Sequence, residues 1–267
     1  MLPNKQILFI TCWQFLVFAA LIGVAAGVAY GLNRLELRVS RQLSHHYGWK
    51  SLLVTGWLGT SLHEISHLAL CKLFRLRVVD YKLYQPDTRT GTLGYVYFVQ
   101  DKKGILGAIS RFFVGTSPLL FGMALLTFGL YWVGWRPPQV ELATAQTAWP
   151  VFGALSEGFV KGMYTLIRGG HLTNLKFWIW SYVCLAVGLH MAPSRADIKN
   201  TAWGWCCVIL LLSMALLSWQ LISPGGASTI FGITLRVGVP VGVAAGWTII
   251  LGSAYFGAVK LITWILP

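Results

Sequence analysis

The sequence is poor in charge, and poorest in acidic side chains. Only 11% of its 267 residues are charged, and there are 8 Asp and Glu against 21 Lys and Arg. Soluble domains carry about 25% charged residues, and disordered chains combine low hydropathy with high charge, so both classes are excluded. The hydrophobic share of 56% and the mean hydropathy of +0.64 instead indicate an integral membrane protein.

Cysteine is scarce and is not arranged for disulfide bonds. The five cysteines include no Cys-x-x-Cys pair, and all of them lie in or at the end of apolar runs. Such cysteines are typically small packing residues, which argues against a disulfide-stapled framework.

The net charge of +13 does not require nucleic acid either, because most Lys and Arg flank apolar runs. There they would face lipid headgroups, so we predict the lipid bilayer as a partner and no nucleic acid.

Six apolar runs approach the length of about 20 residues that a membrane span needs. They cover residues 7–32, 51–73, 105–135, 177–192, 203–222 and 237–266. The first run exceeds the ~7–15-residue core of a signal peptide, so we interpret it as a retained span. The fold class predicted is an all-α membrane protein, a polytopic bundle of about six transmembrane spans. We divide it into an N-terminal part (1–50), a membrane core (51–202) and two C-terminal helices (203–267).

Three segments between the runs have their own character. Residues 33–50 continue an apolar stripe at helical spacing with arginines beside it, which predicts a basic amphipathic helix in the membrane interface or a solvated helical extension of the first span. Residues 78–84 and 91–99 are rich in Val, Tyr and Phe around a turn cluster at 86–91, which predicts a small membrane-associated β-hairpin over 78–99. The connection 136–176 is a candidate lid.

One motif carries chemistry, His63-Glu64-Ile65-Ser66-His67 in the second run. On a helix the two histidines lie one turn apart on one face, so both imidazoles can reach the same zinc ion. Glu64 follows the first histidine, where it can hold and deprotonate a water on the metal. With six His and four Glu in the chain, about 0.002 such motifs are expected by chance. The alternative is a polar cluster that only packs helices together.

A zinc protease site needs a third protein ligand, and this acid-poor chain offers few. Asp197 is the predicted third ligand, because Pro193 interrupts the helix before it and lets the backbone turn toward the site. The other reading of Asp197 is a cap on a short helix. His190 is the rival ligand and is otherwise predicted to bind substrate. Cys71, one turn past His67 on the same face, is a further alternative.

In these features the chain resembles the site-2 protease family of intramembrane zinc metalloproteases, over roughly residues 56–199. Residues 63–67 match the HExxH of the family's first core helix, and the 78–99 hairpin lies where the family has a membrane-associated hairpin or sheet. Residues 115–118, Gly-Thr-Ser-Pro, stand in place of the family's Gly-Pro element. Residues 190–197 resemble its motif of Asn, Pro and Leu-Asp-Gly, with His190 replacing the Asn and Asp197 one residue early.

The resemblance implies an enzyme that hydrolyses peptide bonds of a membrane protein or peptide substrate. It implies Zn²⁺ as cofactor, held by His63, His67 and Asp197, with Glu64 as the general base. It also implies a multi-pass protein of the bacterial inner membrane, with the hairpin on the cytosolic side. Two other function classes remain: a catalytically silent scaffold (a pseudoprotease) that binds helices without cutting them, and a metal transporter.

Overall fold

The structure, a computed structural model, describes residues 4–87, 92–140, 148–199, 201–222 and 226–265. The helices are α1 (Asn4–Tyr47), α2 (Leu53–Leu73), α3 (Gly104–Trp132), α4 (Ala148–Arg168), α5 (Leu175–His190), the one-turn α6 (Arg195–Ile198), α7 (Ala202–Ile222) and α8 (Gly226–Ile265). Two strands, β1 (Arg77–Lys82) and β2 (Tyr95–Val99), lie between α2 and α3. The predicted helical architecture with one small hairpin is therefore confirmed.

Two helices of the described chain are long and apolar enough to cross a membrane. They are α3 and the part of α8 from Phe231 to Ile265. Two shorter apolar stretches lie at Leu175–His190 and Trp203–Ala215. Each of the six predicted runs falls on a helix, although α1 and α8 extend well beyond theirs.

Helix α1 continues unbroken through the segment predicted as an amphipathic helix, so the second of the two alternatives, a helical extension, describes its backbone. The predicted stripe does face the protein, because Leu32, Val39 and Leu43 are buried. Val39 and Leu43 pack against Val259 of α8, and Gln42 donates a hydrogen bond to Thr263 of the same helix. This packing brings the C-terminal half of α1 into the bundle.

The core of the bundle lies where α3, α5 and α8 meet. Its largest fully buried side chains include Phe177 and Trp180 of α5, which pack with Leu126 of α3 and Val243 of α8. The Trp180 indole donates to the Leu126 carbonyl at 2.9 Å, which satisfies its one polar group. Gly129 on α3 leaves room for that indole, since a Cβ there would collide with the ring.

The connection predicted as a lid contains a full helix, α4, that packs against α8. A Cβ on Gly158 would lie 2.5 Å from the Val239 side chain, and one on Gly162 would lie 2.6 Å from Val243. Close approach of this kind needs a residue without a side chain on one helix. Helix α4 is thus part of the bundle through its glycine face.

The hairpin pairs β1 and β2 antiparallel, from Arg77 opposite Val99 to Lys82 opposite Tyr95, with an irregularity between Val78 and Asp80. Pairing continues toward the turn, because the Gln85 amide donates to the Leu93 carbonyl at 2.7 Å. The strands are shorter than predicted, and the predicted turn residues 88–91 lie outside the described residues. The hairpin packs next to α2 and therefore lies beside the candidate site.

Candidate metal centre

Helix α2 presents both histidines of the sequence motif on one face, as their spacing predicts. The Nε2 atoms of His63 and His67 lie 3.2 Å apart, and the two rings meet edge to face. Both side chains are largely covered, with exposed fractions of 13% and 7%. The pair is therefore a preformed, protected set of two potential nitrogen ligands.

Asp197 completes a cluster of three potential ligands. Its Oδ1 lies 3.3 Å from His67 Nε2, and its Oδ2 lies 3.6 Å from His63 Nε2. The residue sits in the first turn of α6, where the Ser194 amide donates to Oδ2 and the Ser194 hydroxyl accepts from the Asp197 amide. This reciprocal pair is a capping box, so Asp197 both caps the short helix and faces the histidines.

Backbone carbonyls orient the two imidazoles. His63 Nδ1 lies 2.7 Å from the His190 carbonyl oxygen, and His67 Nδ1 lies 2.9 Å from the Val114 carbonyl oxygen. A carbonyl can only accept, so each Nδ1 carries a hydrogen, and in the neutral ring each Nε2 presents a lone pair. Outer partners of this kind fix the orientation of histidine ligands at metal sites.

Both carbonyls are free for this role because of how their helices are built. His190 is the last residue of α5, where carbonyls have no intrahelical donor. Val114 lies four residues before Pro118 in the interior of α3, and proline has no amide hydrogen to donate to it. Ser117 adds a hydroxyl that donates to the same Val114 carbonyl at 2.8 Å. The proline of the Gly-Thr-Ser-Pro element thus leaves the preceding Val114 carbonyl free to orient His67.

The donor atoms fit a tetrahedral zinc ion. Zinc ligands at about 2.0–2.1 Å define a tetrahedron with edges of about 3.3 Å. The two Nε2 atoms lie 3.2 Å apart, close to that edge, and each lies 3.3 or 3.6 Å from a different oxygen of the Asp197 carboxylate. Two imidazole lone pairs that face each other at 3.2 Å also repel, unless a cation or a proton lies between them. The residues present therefore fit the metal that the sequence motif implies.

Two glycines allow the chain segments of the site to approach so closely. A Cβ on Gly115 of α3 would collide with the Asp197 carbonyl oxygen and with Thr201, and one on Gly59 of α2 would collide with Ala186 and the His190 ring. Gly115 thus lets the segment that carries Asp197 dock on α3. Gly59 lets α5 bring the His190 carbonyl next to His63.

The electrostatics of Asp197 favour a carboxylate. Burial acts to raise its pKa, but the hydrogen bonds that His63 and His67 donate from Nε2 when protonated outweigh this and hold the pKa well below its usual range. An ionised carboxylate is the form that binds a metal.

Glu64 is buried, with 7% of its surface exposed, and lines a cavity of about 180 Å³ together with His63. Thr60 of α2, the Leu93–Gly94 segment before β2, and His190 contribute to the same cavity. Gly94 lies against the Glu64 side chain, because a Cβ there would be 3.1 Å from Glu64 Cγ. Glu64 is therefore beside the three ligands, at a cavity that can admit a water or a substrate group.

The two alternative ligands, His190 and Cys71, do not belong to the cluster. His190 lines the cavity, but its ring Nδ1 donates to the Ala186 carbonyl at 2.9 Å. Cys71 is fully buried in an apolar cluster with Leu70, Leu76 and Val114. Among the described residues, one group of His, Cys, Asp and Glu side chains converges well enough to hold a metal, and it is His63, His67 and Asp197.

Replacing Asp197 by Ala is expected to lower the affinity for zinc by more than tenfold, because a charged ligand is lost. His190→Ala should have a smaller effect, since alanine keeps the backbone carbonyl that orients His63. Asp101→Ala, at an exposed aspartate, is the matched control. Titration of purified protein with zinc against a competing chelator measures each affinity. Loss of zinc in His190→Ala but not in Asp197→Ala would show that the ligand assignment is wrong.

Several contributors to the site escape the sequence reasoning. The Val114 carbonyl and Gly59 carry no signal of their own, although Pro118 in an apolar helix marks the freed carbonyl four residues earlier. Gly115 and Ser117 belong to the Gly-Thr-Ser-Pro element, but the sequence did not show what they contact. Asn33 and Glu36 of α1 also line the cavity. The apolar stripe of α1 predicts that this helix packs against the protein, but it does not show against which element. It is therefore only a weak sequence signal for these two residues.

The function of this site has to be argued from its geometry. Comparison of the chain with protein-family models, with curated proteins and with solved structures found no match in any of the three. The resemblance stated for the sequence motifs thus remains a prediction, and the donor set, its orienting carbonyls and the adjoining cavity are the observations from which a function can be inferred.

Proposed function

We propose that the protein is an intramembrane zinc metalloprotease of the site-2 protease type. The observation that carries the proposal is the convergence of His63, His67 and Asp197, with both imidazoles held by backbone carbonyls and Glu64 beside them on a cavity. This combination of three protein ligands, a buried carboxylate and open space is what metal-assisted hydrolysis requires. A helix-packing polar cluster would need neither the cavity nor the aligned lone pairs.

The reaction proposed is hydrolysis of a peptide bond. A zinc ion held by the three ligands would polarise the peptide carbonyl and lower the pKa of water. Glu64 takes a proton from the attacking water and passes it to the leaving nitrogen, so a C–O bond forms as the C–N bond breaks. His190, which lines the cavity, uses its Nδ1 hydrogen on the Ala186 carbonyl, so its Nε2 is the atom that can accept a hydrogen bond from the substrate.

A substrate helix hides its carbonyls in its own hydrogen bonds, so it must unwind before cleavage. The hairpin offers a place for the unwound segment, because a two-stranded sheet has free edges and Leu93 and Gly94 border the cavity. Pairing along the β2 edge would keep the substrate backbone hydrogen-bonded in a membrane environment. We therefore propose that the substrate adds as a strand beside the hairpin.

Proline scanning of β2 tests this strand addition. Successive amides of a strand point to opposite edges, so of Val96→Pro and Tyr97→Pro one removes a donor from the free edge. That variant should lose cleavage of a membrane substrate and keep its zinc. Val79→Pro, at the irregularity of β1, is the control and should keep cleavage. Wild-type cleavage rates in both β2 variants would exclude strand addition.

The proposal includes a membrane architecture of about six spans. Helices α3 and α8 are long and apolar enough to cross, and six large apolar side chains on the outer surface are at least 70% exposed. They are Leu73, Phe128, Leu175, Trp203, Ile222 and Trp264. Exposure of such large apolar side chains to water is unfavourable, so lipid would cover them.

The orientation proposed puts the hairpin and Asp197 on the cytosolic side. Residues 71–103 hold seven Lys and Arg against four in residues 33–50, and positive loops remain inside. A reporter fused after Lys103 should therefore read as cytosolic, and one in the 136–147 segment before α4 as external. The reverse pattern would invert the protein. Two reporters on the same side would show that α3 does not span.

Reconstitution into liposomes tests the function class. A protease cleaves a single-span substrate and moves no zinc across the membrane, a transporter moves zinc, and a scaffold binds the substrate without either. The proposal requires cleavage that a chelator stops and added zinc restores. Substrate binding without cleavage in the zinc-loaded protein would favour the scaffold.

A further inference from the structure

The cavity beside Glu64 has a wall that the proposed chemistry does not use. Helix α1 contributes Asn33 and Glu36 to it, and the Leu93–Gly94 segment that leads into β2 lines the same cavity. Residues of α2 and of the end of α5 complete the lining. A substrate segment that pairs with the hairpin at this cavity would thus also meet α1.

Glu36 is held in place and lacks a cationic partner. The Ser40 hydroxyl, one turn along the helix, donates to Glu36 Oε1 at 2.8 Å and leaves the second carboxylate oxygen for another donor. No Lys or Arg in the described part of the chain forms an ion pair with it. The arginines of α1 line a separate surface pocket, where Arg34 donates a hydrogen bond to the Tyr30 hydroxyl.

Burying half of a carboxylate without a nearby cation costs folding free energy. The cost is notable in a chain that has only 8 acidic residues. A cation that arrives with the substrate would remove that cost. The cavity also has an apolar part, formed by Leu93 and Leu189. A long basic side chain matches both features, because its methylene stem covers apolar surface while its charged end reaches a carboxylate.

We propose that Asn33 and Glu36 form a subsite that binds the Lys or Arg side chain of a substrate residue next to the cleaved bond. The proposal rests on the proposed function. Side chains of an extended segment alternate between two faces, so a residue adjacent to the reacting carbonyl can point at α1 while its neighbour points away. Glu36 accepts from the cationic group, and the Asn33 amide oxygen offers a second acceptor.

Binding to a catalytically silent protein tests the subsite separately from cleavage. The Glu64→Gln protein, loaded with zinc in liposomes, is titrated with fluorescent single-span peptides that carry one Lys or one norleucine at successive positions. At one position the Lys peptide should bind about tenfold more tightly, the effect of one charge-assisted hydrogen bond. Adding Glu36→Gln should bring the ratio to about one, and Glu36→Lys should favour a peptide with Glu at that position.

Glu157→Gln is the matched control, because Glu157 is exposed on α4, pairs with Lys161 and does not line the cavity. It should keep the preference for Lys. Equal affinity for the two peptides at every position, or a preference that survives Glu36→Gln in a zinc-loaded protein, would overturn the subsite. A Glu36-dependent preference in a protein that cleaves nothing when Glu64 is intact would keep the subsite and remove the protease proposal.

Discussion

Glu64→Gln is expected to reduce cleavage by about 10²–10⁴-fold while the bound zinc stays the same. Glutamine has the shape of glutamate, but its amide cannot accept the proton of the attacking water. Glu64 is not one of the three converging ligands, so its neutralisation leaves the donor set intact. Cleavage of a single-span substrate in liposomes and metal analysis of the same samples measure the two quantities.

Glu157→Gln provides the control, since it makes the same chemical change at an exposed ion pair. It should cleave at the wild-type rate. Loss of zinc in Glu64→Gln would mean that Glu64 is a ligand rather than the base. Cleavage at an unchanged rate with full zinc would remove Glu64 from the mechanism and leave the site without a candidate base.

His63→Ala and His67→Ala should each release the metal and abolish cleavage. Each change removes one of the three proposed ligands, whereas a changed outer partner alone costs about 10–100-fold in affinity, so the loss should exceed that range. It also removes the imidazole donor from a backbone carbonyl, at His190 or at Val114. Zinc titration against a competing chelator gives the affinity, and the liposome assay gives the cleavage rate.

His171→Ala is the matched control for the histidine variants. His171 lies in the turn before α5, at the opposite end of that helix from His190, so it is remote from the site. Its removal should change neither zinc affinity nor cleavage. Retention of stoichiometric, tight zinc in both His63→Ala and His67→Ala would show that the metal binds elsewhere or that the cluster is structural.

The parts of the site within one helix were predictable from the sequence. The four-residue spacing of His63 and His67 determines their common face, because an α-helix turns once in about 3.6 residues. Pro193 ends α5 near the predicted position and the chain turns back at Asp197. The apolar runs located the helices but not their ends, since α1 and α8 continue through polar residues where neighbouring helices support them.

Other parts of the site could be identified only once the packing of the helices was known. The choice between Asp197 and His190 depended on where the segment after α5 docks, and Gly115 decides that by leaving space for the Asp197 backbone. The orienting carbonyl of Val114 belongs to a residue 47 positions from His67. No local pattern of the chain links such distant positions, because the contact arises from helix packing rather than from helix periodicity.

The sequence by itself determined that the chain is helical and apolar, that a hairpin follows the second helix, and that two imidazoles and Glu64 share a turn of that helix. These are consequences of composition and of short-range periodicity, which each segment carries alone. Only the tertiary structure decided which carboxylate meets the imidazoles, which carbonyls orient them, and that Asn33 and Glu36 border the cavity. These relations depend on close approach between helices, which the shapes of several segments set jointly.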